Sequence, residues 1–217
     1  HLSIDSVCEV GLLASRQNHS PLVIIKSTLP LGGMKTLQKI YSRVVLLPEF
    51  LIERRPDATQ VDRLVIGSDN EDLVDEVVDV LLRVPGWAKA PIFVVAAEEA
   101  ELIKLGSNGF LAVKVAYAND IEALCQTRGL RYDRVREAIA ADSRIGPSHL
   151  LVPGIDGKRG FGGSCFPKDL SELASYFRAD FWTSVTEAAD QRNRYIRPEC
   201  YPTPELPATL REATAAQ

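Results

Sequence analysis

Over residues 5–17 apolar side chains recur at three- and four-residue intervals behind an aspartate suited to capping a helix, and "PLVIIKST" then reads as a buried strand between Pro21 and Pro30. "GGMKTLQKIYSR" predicts a second helix, "VVLLPEF" a strand stopped by Pro48, "RLVIGSD" a third strand, and residues 70–83 an acidic amphipathic helix. Strands alternating with helices predict an α/β fold with a parallel, doubly wound sheet. "PIFVV" opens one more strand, after which helical periodicity holds over 98–126, longer than most globular helices and suited to joining domains or forming a dimer seam. Beyond Gly129 the strands stop, and helical patterns over 132–141, 167–177 and 181–194 surround a glycine-rich loop. The expected organisation is an α/β unit over 1–97, a helical unit over 98–197 and a loose, proline-rich tail over 198–217.

Composition narrows the class without naming it. With 217 residues, 46% hydrophobic and 25% charged, the chain has enough apolar content for a sizeable core. A formal net charge of -4, with acids and bases interspersed, provides no basic stripe, so no nucleic-acid partner is expected. The four cysteines, Cys8, Cys125, Cys165 and Cys200, share no C-x-x-C spacing, which fits a reduced, cytoplasmic protein. No apolar run reaches the roughly 20 residues that span a bilayer, so no membrane association is expected. The histidines, His1, His19 and His149, lie far apart and no H-E-x-x-H occurs, so no metal is expected.

The densest chemistry lies in "GFGGSCFPKDL", residues 160–170. Pro167 suits a first helical turn and Asp169 the positive end of a helix, which places Cys165 at or just before a helix N-terminus. Backbone N–H groups and Lys168 there favour a thiolate, as a nucleophile requires; a small buried core cysteine under a glycine turn is the alternative. Lys104 and Asn108, four apart on the long helix, share a face and suit an oxyanion site, although a lone helical lysine is more often solvated. Glu49 and Glu53 in "PEFLIE" follow a strand end, where open α/β sheets bind ligands, although two solvated loop carboxylates are the commoner arrangement; Thr28 in "KSTLPLGG" follows another, and a strand-terminating turn explains it equally well. "GFGGSC" is neither a P-loop nor a G-x-G-x-x-G.

Taken in order, "VIIKSTLPLG", "LPEFLIE", "ELIKLGSNGFLAVKVAYANDI", "DSRIGPSHL" and "GFGGSCFPKDL" closely resemble the UDP-glucose/GDP-mannose dehydrogenase family over roughly residues 1–197. The resemblance implies a Rossmann-like NAD-binding unit, a long connecting helix and an all-α central dimerisation domain, assembled as a homodimer through that helix. It implies that NAD oxidises the C6 alcohol of a nucleotide sugar twice, with UDP-glucose to UDP-glucuronate as the default. Cys165 is then the thiol that captures the C6 aldehyde as a thiohemiacetal and carries the thioester.

By matching motif positions, Lys104 and Asn108 stabilise oxygen charge at C6, and Asp169 assists the lysine or positions water. Glu49 resembles the acid/base carboxylate, Glu53 a second loop glutamate near nicotinamide and water, Thr28 a threonine at that site, and Lys168 a cofactor-contacting lysine. The backbone at Phe50 and Leu51, together with Arg144, Phe161 and Gly162, matches positions that hold the sugar nucleotide, the arginine reaching a neighbouring subunit.

The sequence departs from the family in three ways. It begins in the later half of the Rossmann domain, without the N-terminal G-x-G-x-x-G or the acid that holds the ribose. It lacks the C-terminal domain that closes over the nucleotide. Its "VPGIDGKRG" lengthens the loop before the cysteine, placing Lys158 and Arg159 either at a phosphate or in solvent. A catalytically silent relative serving as a dimerising or sugar-nucleotide-binding module is the competing expectation. An unrelated thiol acyltransferase is a third; it would need a histidine base near Cys165, for which His149 is the one candidate.

Overall fold

The computed structural model describes residues 2–50, 61–163, 165–178 and 180–201. Helix α1 (Asp5–Ser15) precedes strand β1 (Val23–Ile25), helix α2 (Gly33–Gln38) and strand β2 (Val44–Leu46). Strand β3 (Leu64–Gly67), helix α3 (Glu71–Leu81) and strand β4 (Ile92–Val95) complete a four-stranded sheet of order β1-β2-β3-β4. The 32-residue helix α4 (Ala97–Arg128) leaves the end of β4 and leads to α5 (Tyr132–Ala140), α6 (Phe166–Tyr176) and α7 (Asp180–Ile196).

Strand β1 runs parallel to β2 (Val23↔Val44) and β3 parallel to β4 (Leu64↔Ile92), each pair joined by a helix, as a parallel crossover requires. The middle pair is antiparallel, meeting at Leu46↔Gly67, so the sheet is mixed where the strand–helix alternation predicts parallel strands throughout. An antiparallel neighbour needs no crossover helix.

Alternation along the strands sends side chains to two cores. Val44, Leu46 and Val65 pack with α2 and the start of α4, while Val45, Leu47, Leu64 and Ile66 pack with Leu73, Val77 and Leu81 of α3. Asn70 caps α3 by accepting the Leu73 N–H at 3.2 Å, and Glu99 in the first turn of α4 accepts the Ala96 N–H at 2.8 Å. Helix α4, about 48 Å long at 1.5 Å per residue, belongs to the first core through Ala97 and Ala100 and to a third core through Ala112, Val115 and Ala116. There it meets Phe161, Leu170 and Ala189. Gly109 permits the close contact with α6, since a Cβ on it would lie 2.5 Å from Leu173 Cδ2. After α7 the chain makes a short 3-10 turn, Pro198–Cys200, and Tyr201 stacks under Arg194 at 4.1 Å; the remainder of the proline-rich segment lies outside the described residues.

Candidate active site

The packing of α6 on α4 brings together residues 61 apart in sequence: Asn108 Nδ2 donates to Asp169 Oδ2 at 2.6 Å. Lys168 Nζ donates to the other oxygen, Oδ1. Asp169 is fully buried, so both carboxylate oxygens are engaged by side chains rather than by solvent. Cys165 is the residue before α6, and its C=O accepts the Asp169 N–H at 3.0 Å, closing the first turn. Pro167, in that turn, leaves no unsatisfied N–H. The cysteine therefore stands where the free N–H groups of a helix gather.

One turn before Asn108, Lys104 is 8% exposed and donates from Nζ to the Glu49 carbonyl at 2.6 Å. Burial pushes the Lys104 ammonium below the usual lysine range; the charges of Asp169, Cys165 and Glu49 pull it back up, and Lys168 adds to the lowering. Those same influences place Lys104 within electrostatic reach of the cysteine, the aspartate and the loop glutamate together.

The sheet supplies the other wall. Thr28 and Glu49 each lie three residues beyond the carboxyl ends of the parallel neighbours β1 and β2. Thr28 is half-buried, and the Glu49 carboxylate is exposed and pairs with Lys26 at 3.3 Å. Phe50 is half-buried, with the Arg63 guanidinium 4.1 Å and Lys104 Nζ 5.2 Å from its ring centre. Glu53 and Leu51 lie outside the described residues.

The other expected residues are placed differently. Phe161 is buried in the helical core, its N–H donating to Asn193 Oδ1 at 2.8 Å and its C=O accepting from Nδ2 at 2.7 Å. Gly162 follows it, half-buried. Arg144 is exposed and bonded to Asp142. Lys158, exposed to solvent, pairs with Glu199 at 2.9 Å, and the partly exposed Arg159 pairs with Glu122 at 2.7 Å. His149 stacks at 5.7 Å on Phe166; burial and Lys114 push its imidazole below the usual range, and its Nδ1 is buried without a hydrogen bond. Among the described residues no group of three His, Cys, Asp or Glu side chains is arranged to hold a metal, and no helix is long and apolar enough to cross a membrane.

Several residues that matter to this site carry no motif. Glu101, almost fully buried one turn before Lys104, accepts the Gly32 and Met34 N–H groups at 2.6 Å each, tying the loop after Thr28 to α4. Burial raises its carboxyl, and those two N–H groups oppose the rise. Arg63 donates to Ser107 Oγ at 3.1 Å while covering Phe50. A charged residue on the core-facing side of an amphipathic pattern was the one signal available for Glu101; Arg63 had none.

Residues 98–195 match the central domain of the UDP-glucose/GDP-mannose dehydrogenase family. UDP-glucose 6-dehydrogenase of Streptococcus pneumoniae is 33% identical over 191 residues, 82% of this chain and 47% of that protein. UDP-glucose 6-dehydrogenase TuaD of Bacillus subtilis is 36% identical over 192 residues, 83% of this chain and 40% of that protein. A UDP-glucose dehydrogenase structure from Pyrobaculum islandicum shares the fold with a TM-score of 0.71 at 31% identity, over 88% of this chain and 45% of that one. The chain thus spans about half the length of the relatives it matches. The match to the central domain, the sequence identity along most of the chain and the shared fold agree: the chain belongs to the UDP-glucose/GDP-mannose dehydrogenase family.

Proposed function

We propose that these residues form the thiol half of a nucleotide-sugar 6-dehydrogenase, which oxidises the C6 alcohol of UDP-glucose to the carboxylate of UDP-glucuronate. The observation that carries the proposal is the convergence of Lys104, Asn108 and Asp169 from two helices on the turn that ends in Cys165. NAD fits at the carboxyl ends of β1 and β2, where Thr28 and Glu49 stand, with Lys168 at the opposite wall; a G-x-G-x-x-G pyrophosphate cradle is not within this sequence. NAD supplies the oxidant when bound, two molecules in succession each taking one hydride from C6 and leaving as NADH.

The chain's own residues handle the atoms in between. Glu49 takes the C6 hydroxyl proton as the alcohol becomes an aldehyde. The Cys165 thiolate then adds to the aldehyde carbon, forming the C–S bond of a thiohemiacetal, and the Lys104 ammonium and Asn108 amide stabilise the charge that develops on oxygen. Loss of the second hydride leaves a thioester on Cys165. Glu49, its first proton passed to solvent, takes a proton from the water that attacks the thioester carbonyl; the C–S bond breaks, the thiolate leaves and the remaining proton is lost as the carboxylate forms, while Asp169 holds Lys104 and Asn108 in place. Covalent capture keeps the aldehyde in the site. A thiol with this task requires a reducing, cytoplasmic compartment.

Glu53, Lys168 and the backbone at Phe50 and Leu51 contribute to cofactor and sugar binding on this proposal, with Phe161, Gly162 and a partner's copy of Arg144 at the nucleotide side. The partner is a second copy docked along α4, where Leu102, Phe110, Tyr117 and Leu124 recur along one face with about half or more of each side chain exposed. Phe110→Glu yields a monomer by light scattering; an unchanged dimer removes α4 from the interface.

The decisive chemistry test is Cys165→Ser in the complete enzyme, assayed with NAD and UDP-glucose. The substituted protein forms no uronate, and an aldehyde trapped by a hydrazine reagent marks the surviving first oxidation. Uronate at an unchanged rate rules out the thioester. No uronate from the unsubstituted protein removes the reaction and leaves the binding-module alternative.

A further inference from the structure

The lengthened loop before the cysteine carries charges that the proposed reaction does not use, and Asp156 among them has a distinctive partner. Its Oδ2 accepts from Arg197 Nη2 at 2.8 Å. Arg197 directly follows α7, and its side chain is 8% exposed, packed against the glycine run. A Cβ on Gly162 would lie 2.5 Å from its Cζ, 2.6 Å from Nη2 and 2.7 Å from Nη1. The guanidinium therefore lies against Gly162 at a distance that leaves no room for a methyl group. A Cβ on Gly160 would meet the same side chain, 3.3 Å from both Cγ and Cδ.

An arginine side-chain end ordinarily yields to such a contact, but this one is not free to swing. Moving it would separate a buried cation from Asp156 and from Glu199, which lies 3.6 Å from Nε, and stripping a buried charge of its partners is costly. The opposite side of the turn is fixed as well. Asn119 Oδ1 accepts the Gly160 N–H at 3.0 Å, and Asn193 bonds both backbone groups of Phe161. Residues 160–162 are thus gripped between α4 and α7, and three residues later the chain delivers Cys165 to the start of α6.

We infer that Arg197, aimed by Asp156, is a positioning residue for Cys165: its planar guanidinium is the plate against which Gly162 rests, and it fixes the turn that presents the thiol. The inference rests on Cys165 being the nucleophile of the proposed reaction. It also assigns a purpose to the lengthened loop, which supplies the carboxylate that holds the plate in place.

The test is a double-mutant cycle read at one thiol, the alkylation rate of Cys165 by iodoacetamide at about pH 7, resolved by peptide mass spectrometry with the other three cysteines as references. Gly162→Ala changes the rate about tenfold in the native background but less than about twofold beside Arg197→Ala, where the methyl has room. Equal factors in the two backgrounds overturn the inference. So does a Cys165 rate that changes only in step with that of buried Cys125, the mark of general loosening. Should Gly162→Ala not fold, Asp156→Asn, which removes the ion pair and adds no bulk, moves the Cys165 rate in the same direction as Arg197→Ala; no movement overturns the inference. Failure of the dehydrogenase proposal looks different: Cys165→Ser would still form uronate, whatever the cycle gives.

Discussion

The two walls of the site are built on different principles. The helical wall is satisfied largely from within: Asp169 is fully buried with both oxygens bonded, Asn108 is buried beside it, and Lys104 reaches across to the Glu49 carbonyl. The sheet wall is open: the Glu49 carboxylate and Lys26 are each more than two-fifths exposed, and Thr28 sits in the turn after β1. A network satisfied internally is preorganised and stays in place without a ligand. An exposed ion pair contributes little and is free to exchange partners. In the proposed reaction the side that would hold charge on a reacting oxygen is prebuilt, and the side that would admit a cofactor and pass protons is not.

The largest test of that contrast is Asp169→Ala against Glu49→Ala. Removing Asp169 leaves the Asn108 amide and the Lys168 ammonium without their shared acceptor, and a cavity between α4 and α6. It costs about 3 kcal/mol, as breaking buried charged networks does, and appears as a marked fall in melting temperature. Glu49→Ala leaves the melting temperature unchanged and affects turnover alone. Equal destabilisation by both would show that the sheet wall is as prebuilt as the helical one.

The contrast also explains what was legible in the sequence. Period-3.6 patterns over 70–83 and 98–126 became α3 (Glu71–Leu81) and α4 (Ala97–Arg128), because burial of one helix face writes itself into local spacing. The antiparallel meeting of Leu46 and Gly67 did not, since periodicity records which face a strand buries and not which neighbour it pairs with. Within the site, the shared face of Lys104 and Asn108 and the place of Cys165 before a helix followed from spacing and from Pro167. The bond from Asn108 to Asp169 spans 61 residues and exists only because α6 packs on α4. Asn119, Asn193 and Arg197 were invisible for the same reason, and Glu101 showed only its charge on a core-facing position: each acts on backbone brought to it by tertiary packing.

A smaller effect sharpens the comparison at one atom, Lys104 Nζ. Its ammonium is lowered from the ordinary 10.5 chiefly by burial, with Asp169 the largest influence opposing that shift. Because the folded chain holds this proton less tightly than the unfolded chain, the cost of keeping Lys104 charged is full below its folded pKa. That cost disappears as pH rises towards 10.5, so this group makes stability rise with pH across that window. Activity moves oppositely, since the charged form is the one that stabilises an oxyanion, and kcat/KM falls on an alkaline limb set by Lys104. Asp169→Asn keeps the side-chain volume, turns one of the two acceptor oxygens into a donor and removes the charge that raises the lysine, so the limb moves to still lower pH. An NMR titration of the Lys104 ε-amine in this chain follows the same shift without requiring turnover. A lysine that titrates at or above its ordinary value, or that does not move when Asp169 is neutralised, would mean that water reaches Nζ freely and that the helical wall is as open as the sheet.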